Sequence, residues 1–217
     1  IVARSEEPVE QGIREKIALF CDVDPEGAGA VRASAEALRA LGAEVLPVEV
    51  PPTDAVVAAW LSLCAAEAAT AHSATFPSRR AEYGPMLAGL LDTGLALSAV
   101  DLQRVLLERM DYAGRMAAQM KRVDLLLMPA MPLAGPSLDD IAALRKIPGH
   151  RIRLGRYTSP SDMTGQPTIT MPGGFTAAGM PVGVQLVGRM LGEPTLVRAG
   201  RAFQAATDWH RRRPPGT

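Results

Sequence analysis

Apolar positions along the chain follow two rhythms. Residues 16–21 (KIALFC) and 44–48 (EVLPV) are short apolar runs that read as strands, and between them Val31, Ala35, Leu38 and Leu41 keep helical spacing. Asp24 precedes Pro25, a pairing that suits an N-cap with proline at the first helical position, and Gly42 stands where that helix should stop. Strand, helix and strand with short connections predict a βαβ unit, with parallel strands and a right-handed crossover. Residues 54–72 return to the helical rhythm through Val57, Trp60, Leu61, Cys64 and Ala68. Periodicity weakens over 73–97, where a short helix is expected near 86–91. Ser98 then opens a long helix, and Asp101 three residues on makes a pair similar to a capping box. Its predicted buried stripe is Leu102, Val105, Leu106, Met110, Ala113 and Met116, and Lys121 and Arg122 suit its C-terminal dipole.

The second half reads mostly as strand. Residues 124–129 (DLLLMP) form an apolar run ended by proline, as expected of a strand buried on both faces. Residues 129–157 read as a long loop with at most one helical turn near 138–144. Residues 168–171 (TITM) are a short strand between Pro167 and Pro172, prolines expected to end its ladder. Gly173 and Gly174 allow a turn, residues 177–180 form a hairpin loop with Gly179 at positive φ, and 182–187 return as the antiparallel partner. Gly183 inside that partner suggests a close backbone approach. Residues 193–207 give a closing helix with Leu196, Ala199, Phe203 and Ala206 inward. The fold class is therefore α/β, a mixed β-sheet flanked by helices. Residues 1–217 read as a single α/β domain whose first fifteen residues are a polar connector.

Composition narrows the function classes. The chain has 217 residues, 47% of them hydrophobic and 21% charged, enough for a sizeable core. Its formal net charge of zero argues against a nucleic-acid partner, and Arg211, Arg212 and Arg213 read as a solvated tail. No apolar run of eighteen residues suggests a membrane span, and two cysteines, Cys21 and Cys64, make no disulfide framework. A cytoplasmic protein is expected.

Catalytic chemistry is harder to find. His72, His150 and His210 stand singly, so no triad partner or metal cluster follows from spacing. Cys21 ends a strand, where small buried hydrophobes are common. No two serines are adjacent, and the lysines are Lys16, Lys121 and Lys146. Lys146 sits in the loop before Ser159 and Ser161, within reach of them in principle, but a solvated loop lysine and helix-starting serines account for all three.

Residues 157–189, YTSPSDMTGQPTITMPGGFTAAGMPVGVQLVGR, resemble the C-terminal segment of the amidase signature family. Collinear with it are Glu67 in CAAEAATAH, Tyr83-Gly84, LSAVDLQRVLLER, VDLLLMPAMPLAGP and DWHRRRPP. The resemblance implies the C-terminal half of a larger amidase domain. Family members cleave amide bonds with a serine nucleophile, a second serine and a proton-relaying lysine, all in a Gly/Ser-rich region that this sequence lacks. It therefore implies no catalytic residue here, no cofactor and no metal. It does imply an upstream half of the same polypeptide, a small-molecule amide substrate such as a carboxamide or ureide-like compound, and a homodimer of the kind common in the family. By resemblance, Met128, Pro129, Pro160 and Ser161 belong to the substrate pocket; alternatively the prolines only end their elements. Asp162 replaces a family asparagine and is read as capping a short turn before Gly165. The glutamine-binding charges of the glutamine-hydrolysing component of the tRNA-dependent amidotransferase fall here near Gly155 and near Gly89 or Leu90, which argues against that component. The competing class is a non-catalytic binding or regulatory domain that keeps the fold. The 217 residues alone are expected to be catalytically inert.

Overall fold

The computed structural model describes residues 16–19 and 24–213. Five strands form one sheet in the order β2-β1-β3-β5-β4, where β1 is Lys16–Leu19, β2 Glu44–Pro47, β3 Leu125–Pro129, β4 Thr168–Phe175 and β5 Pro181–Gly188. β1 pairs parallel with β2 and with β3, as the βαβ reading requires. β5 runs antiparallel to both β3 and β4, so the sheet is mixed. Cys21 lies outside the described residues.

Period-two alternation in the strands creates two cores. On one face Leu125 and Leu127 of β3 and Val184 and Leu186 of β5 meet α1 (Pro25–Ala40) and α8 (Glu193–Ala206) through Val31, Leu38, Leu196 and Phe203. On the other face Leu126, Met128 and Val187 meet Val56 and Val57 of α2 (Asp54–Ala71) and Tyr112, Met116 and Met120 of α4 (Ala99–Met120). Asp24 caps α1 as expected, its carboxylate accepting from the Gly27 N–H at 2.8 Å. Gly42 leaves the helix at φ 101°, and Gly179 turns the hairpin at φ 81°. By length and composition α2 would suffice to cross a membrane, with a mean hydropathy of 1.3; here it packs against α3 (Pro85–Ala96), α4 and α7 (Ser159–Thr164).

Several expectations need correction. The long loop contains two short helices, α5 (Leu138–Leu144) and α6 (His150–Gly155), and α7 follows directly after it. Elements of six or seven residues complete too few turns for a period to show. Asp162 lies within α7, and Gly165 ends that helix at φ 75°, so Asp162 caps no separate turn. β4 continues past Pro172 to Phe175, with an irregularity between Pro172 and Gly174. As an edge strand it has one side without ladder partners, where a missing N–H costs nothing. On α4, Met110 is 70% exposed and Tyr112 fully buried. Val105 reaches the same core as Tyr112 from the first half of the helix, while Leu107 and Met110 face solvent. Ala206, expected inward, is exposed at the end of α8. Gly183 does approach closely, its Cβ position 3.1 Å from Ala130 Cβ and 3.8 Å from Thr170 Cγ2, and Gly173 approaches more closely still, 2.5 Å from a Val184 methyl.

Candidate functional site

A cleft opens near the carboxyl end of β3, where ligands of open α/β sheets commonly bind. Its apolar lining includes Val50, Met116, Leu126, Met128 and Val187. Polar groups come from Thr53, Tyr112, Arg156, Tyr157, Ser161 and Gln166. Of the four residues expected at the pocket, Met128, Pro160 and Ser161 line it. Pro129 is buried beside them at the end of β3, not on the cleft wall.

The cleft walls are held by buried side-chain amides. Gln185, 2% exposed on β5, donates from Nε2 to the Pro129 carbonyl at 3.2 Å and to the Tyr157 carbonyl at 2.6 Å. One side chain thus joins the end of β3 to the turn that enters α7. Gln166 Nε2 donates to the Gly188 carbonyl at 3.0 Å. Arg109 Nε, from α4, donates to the Met163 carbonyl of α7 at 2.8 Å. Arg189 closes the far end of α4, with Nε donating to Met120 O and Val123 O at 2.9 and 3.1 Å. Asp24 also accepts from the Ala134 N–H at 2.6 Å, tying the segment after β3 to the α1 N-terminus. A single glutamine within an apolar strand was the visible sequence signal for Gln185, but nothing in the pattern says which carbonyls it meets.

Two buried hydroxyls have no hydrogen-bond partner, Tyr112 Oη and Ser159 Oγ. Burial pushes the Tyr112 phenol up to about 12, partly offset by Arg115, so it stays a neutral donor at ordinary pH. Sequence reasoning missed Tyr112 because it lies between two expected stripe positions, Met110 and Ala113.

No described group in the cleft completes a nucleophile with its base. Ser159 is 1% exposed, and its hydroxyl meets no lysine. His150 Nδ1 lies 3.1 Å from the Ile147 carbonyl, and His72 Nδ1 lies 3.1 Å from the Tyr83 hydroxyl, within a cluster at the far end of α2. Cys64 is half-buried, and its thiol is raised by burial and by Glu67 and Asp162, which opposes thiolate formation. Among the described residues no group of three or more His, Cys, Asp or Glu could hold a metal.

The Amidase family model matches residues 3–197. The chain belongs to the amidase family. AmiD of Mycobacterium tuberculosis is 42% identical over 151 residues, covering 70% of this chain and 32% of AmiD. A Pseudomonas putida amidase is 32% identical over 200 residues, 90% of this chain and 42% of its own length. A glutamyl-tRNA(Gln) amidotransferase component from Neisseria meningitidis is 30% identical over 216 residues, 85% of this chain and 43% of its own. The chain thus spans between about a third and under half the length of these curated relatives. A bacterial aryl acylamidase of the amidase signature family shares the fold at TM-score 0.77 and 23% identity, over 94% of this chain and 46% of that one.

Proposed function

We propose that this chain is the C-terminal part of a serine amidohydrolase that cleaves a carboxamide or ureide-like C–N bond. Within it the chain supplies scaffold and one wall of the substrate pocket, through Met128, Pro160 and Ser161, with Pro129 buried behind them. The observation that carries this reading is the cleft itself: its walls come from the family-like segments around β3 and α7, yet no described nucleophile there has a base. Amide hydrolysis needs a nucleophile, a base in hydrogen-bonding reach and donors for the oxyanion. On this reading those groups belong to an upstream half of the polypeptide, in keeping with relatives more than twice as long. Its partners are then that upstream half and a small-molecule amide.

The test is ammonia release from a panel of simple carboxamides and ureides, by the full-length protein and by residues 1–217 alone. Turnover is expected only from the former. A full-length protein without turnover, or without a paired-serine and lysine signature upstream, removes the enzymatic reading and leaves the non-catalytic binding domain. Turnover by residues 1–217 that disappears in Ser159→Ala or Lys146→Ala would place the chemistry in this chain. The amidotransferase component is the weaker alternative despite its 30% relative. Gly155 packs beside Ser159 and Gly89 has open space around it, and neither position offers a charge for an amino-acid ligand.

A further inference from the structure

The solvent side of α4 carries a second apolar pattern. Val105, Tyr112, Met116 and Met120 turn the inner face of the helix into the cleft-side core. Opposite them, Val100, Gln103, Leu107, Met110, Gly114 and Ala117 recur at alternating steps of three and four, and all six are exposed. That is the a and d spacing of a coiled-coil seam, on the face turned away from the core. Val100, Leu107 and Met110 are large apolar side chains standing in solvent. At Gly114 an added Cβ would meet nothing within 4 Å, so no described residue closes over the seam there. Beside the seam, two helical turns apart, stand Arg104 and Asp111, both mostly exposed. Each meets a neighbour on its own helix, Arg104 with Asp101 at 3.1 Å and Asp111 with Arg115 at 2.8 Å. Exposed pairs of that kind hold their side chains weakly and leave both charges open to a partner.

We propose that α4 pairs antiparallel with α4 of a second copy of this chain, along the seam from Val100 to Ala117. The order of size and charge is self-complementary in that arrangement. An antiparallel pair sets Leu107 of one copy against Met110 of the other, Gln103 against Gly114 and Val100 against Ala117, so the larger side chain of each outer pair meets a small one. The same two-fold axis sets Arg104 of each copy near Asp111 of the other. A parallel pair would set each charge level with its own kind, and charges flanking such a seam decide partner and orientation. The contact is isologous and closes at two copies. A cover from elsewhere in the polypeptide would not require this mirrored order. The proposal is independent of the amidohydrolase reading, since the seam lies on the side of α4 away from the cleft that Tyr112 and Met116 line.

The experiment is sedimentation equilibrium of the full-length protein, native and variant, with circular dichroism as the folding control. The native protein should be a dimer in the micromolar range. Leu107→Glu with Met110→Glu should weaken association about a hundredfold or more, because each substitution is felt twice across a two-fold interface. Arg104→Asp alone should weaken it about tenfold, by bringing carboxylates together across the seam. Adding Asp111→Arg to that variant should restore native association, since the opposite charges again face each other. All four positions are exposed or at the edge of the exposed face, so the spectra should match that of the native protein. A native protein monomeric throughout the micromolar range, a dimer indifferent to the Leu107 and Met110 pair, or a charge exchange that fails to restore association overturns the proposal. A native spectrum lost in Leu107→Glu with Met110→Glu would show that the seam is covered within one polypeptide, and overturns it as well.

Discussion

On the α1 and α8 side of the sheet the packing is closed. Gly173 and Gly200 let backbones and side chains approach so closely that an added Cβ would meet a Val184 methyl at 2.5 Å and Ile169 Cδ1 at 2.8 Å. The one buried serine there, Ser34, donates to the Ala30 carbonyl at 2.9 Å. The α2, α4 and α7 side is built from the same strands, but it holds a cleft, the unpartnered Tyr112 and Ser159 hydroxyls, and two buried glutamines that carry loop carbonyls. A buried His210 Nδ1 is also without a partner beside Trp209 on the closed side, so unmet polar atoms alone do not mark a face; what sets the α2, α4 and α7 side apart is that its unmet hydroxyls accompany the cleft.

The largest expected effect lies on the closed face. Phe203 is 1% exposed and packs in the α8 core with Trp209 at 5.6 Å between ring centroids. Phe203→Ala should destabilise by about 3–5 kcal/mol, because close packing leaves the cavity unfilled. A denaturant titration showing a loss below about 1 kcal/mol would mean this face is loosely packed and the comparison fails. On the cleft face, Gln185→Leu removes no packing volume but strands the Pro129 and Tyr157 carbonyls. The expected loss is about 2–3 kcal/mol, and loosened walls should raise KM for any substrate more than they lower kcat. A KM left unchanged at that loss of stability would make Gln185 a structural residue only.

The sheet was legible because strands alternate with period two and βαβ geometry leaves little freedom: β1, β2, β3 and β5 were all visible as apolar runs. The closed face was legible as well, since Val31, Ala35, Leu38, Leu196, Ala199 and Phe203 face one neighbour along their whole helices. The cleft was only half legible. Met128, Pro160 and Ser161 followed from resemblance, whereas Tyr112 and Gln185 depend on which helix end reaches the sheet and which carbonyl a buried amide meets. Those are tertiary facts.

Intermediate effects come from glycines. Gly173→Ala should cost about 1–3 kcal/mol as overpacking, since its Cβ would also sit 2.9 Å from Ser34 Oγ. Gly183→Ala, facing the cleft-side segment after β3, meets a single methyl at 3.1 Å and should cost below about 1 kcal/mol. Thermal melts of the two variants rank the faces directly, and a larger loss at Gly183 would reverse the assignment of the close approach.

The smallest effect has the opposite sign. Removing a partnered tyrosine hydroxyl ordinarily costs stability, but Tyr112 Oη is buried without a partner, so its desolvation is not offset. Tyr112→Phe should therefore stabilise the protein by about 1 kcal/mol while weakening ligands that accept from the phenol. The same group sets a behaviour at alkaline pH. Its folded value is raised to about 12 from the ordinary 10.0, so between these values the folded state holds a proton that the unfolded state has released. Its contribution is complete below pH 10 and is lost as pH rises through the folded value, at up to about 1.4 kcal/mol per pH unit. Phenylalanine has no proton to lose, so the gap in stability between variant and native protein should widen from pH 10 to pH 12. A variant less stable than the native protein at neutral pH, with a gap that does not widen, would show that the hydroxyl is satisfied and that the cleft face holds no unmet donor at Tyr112.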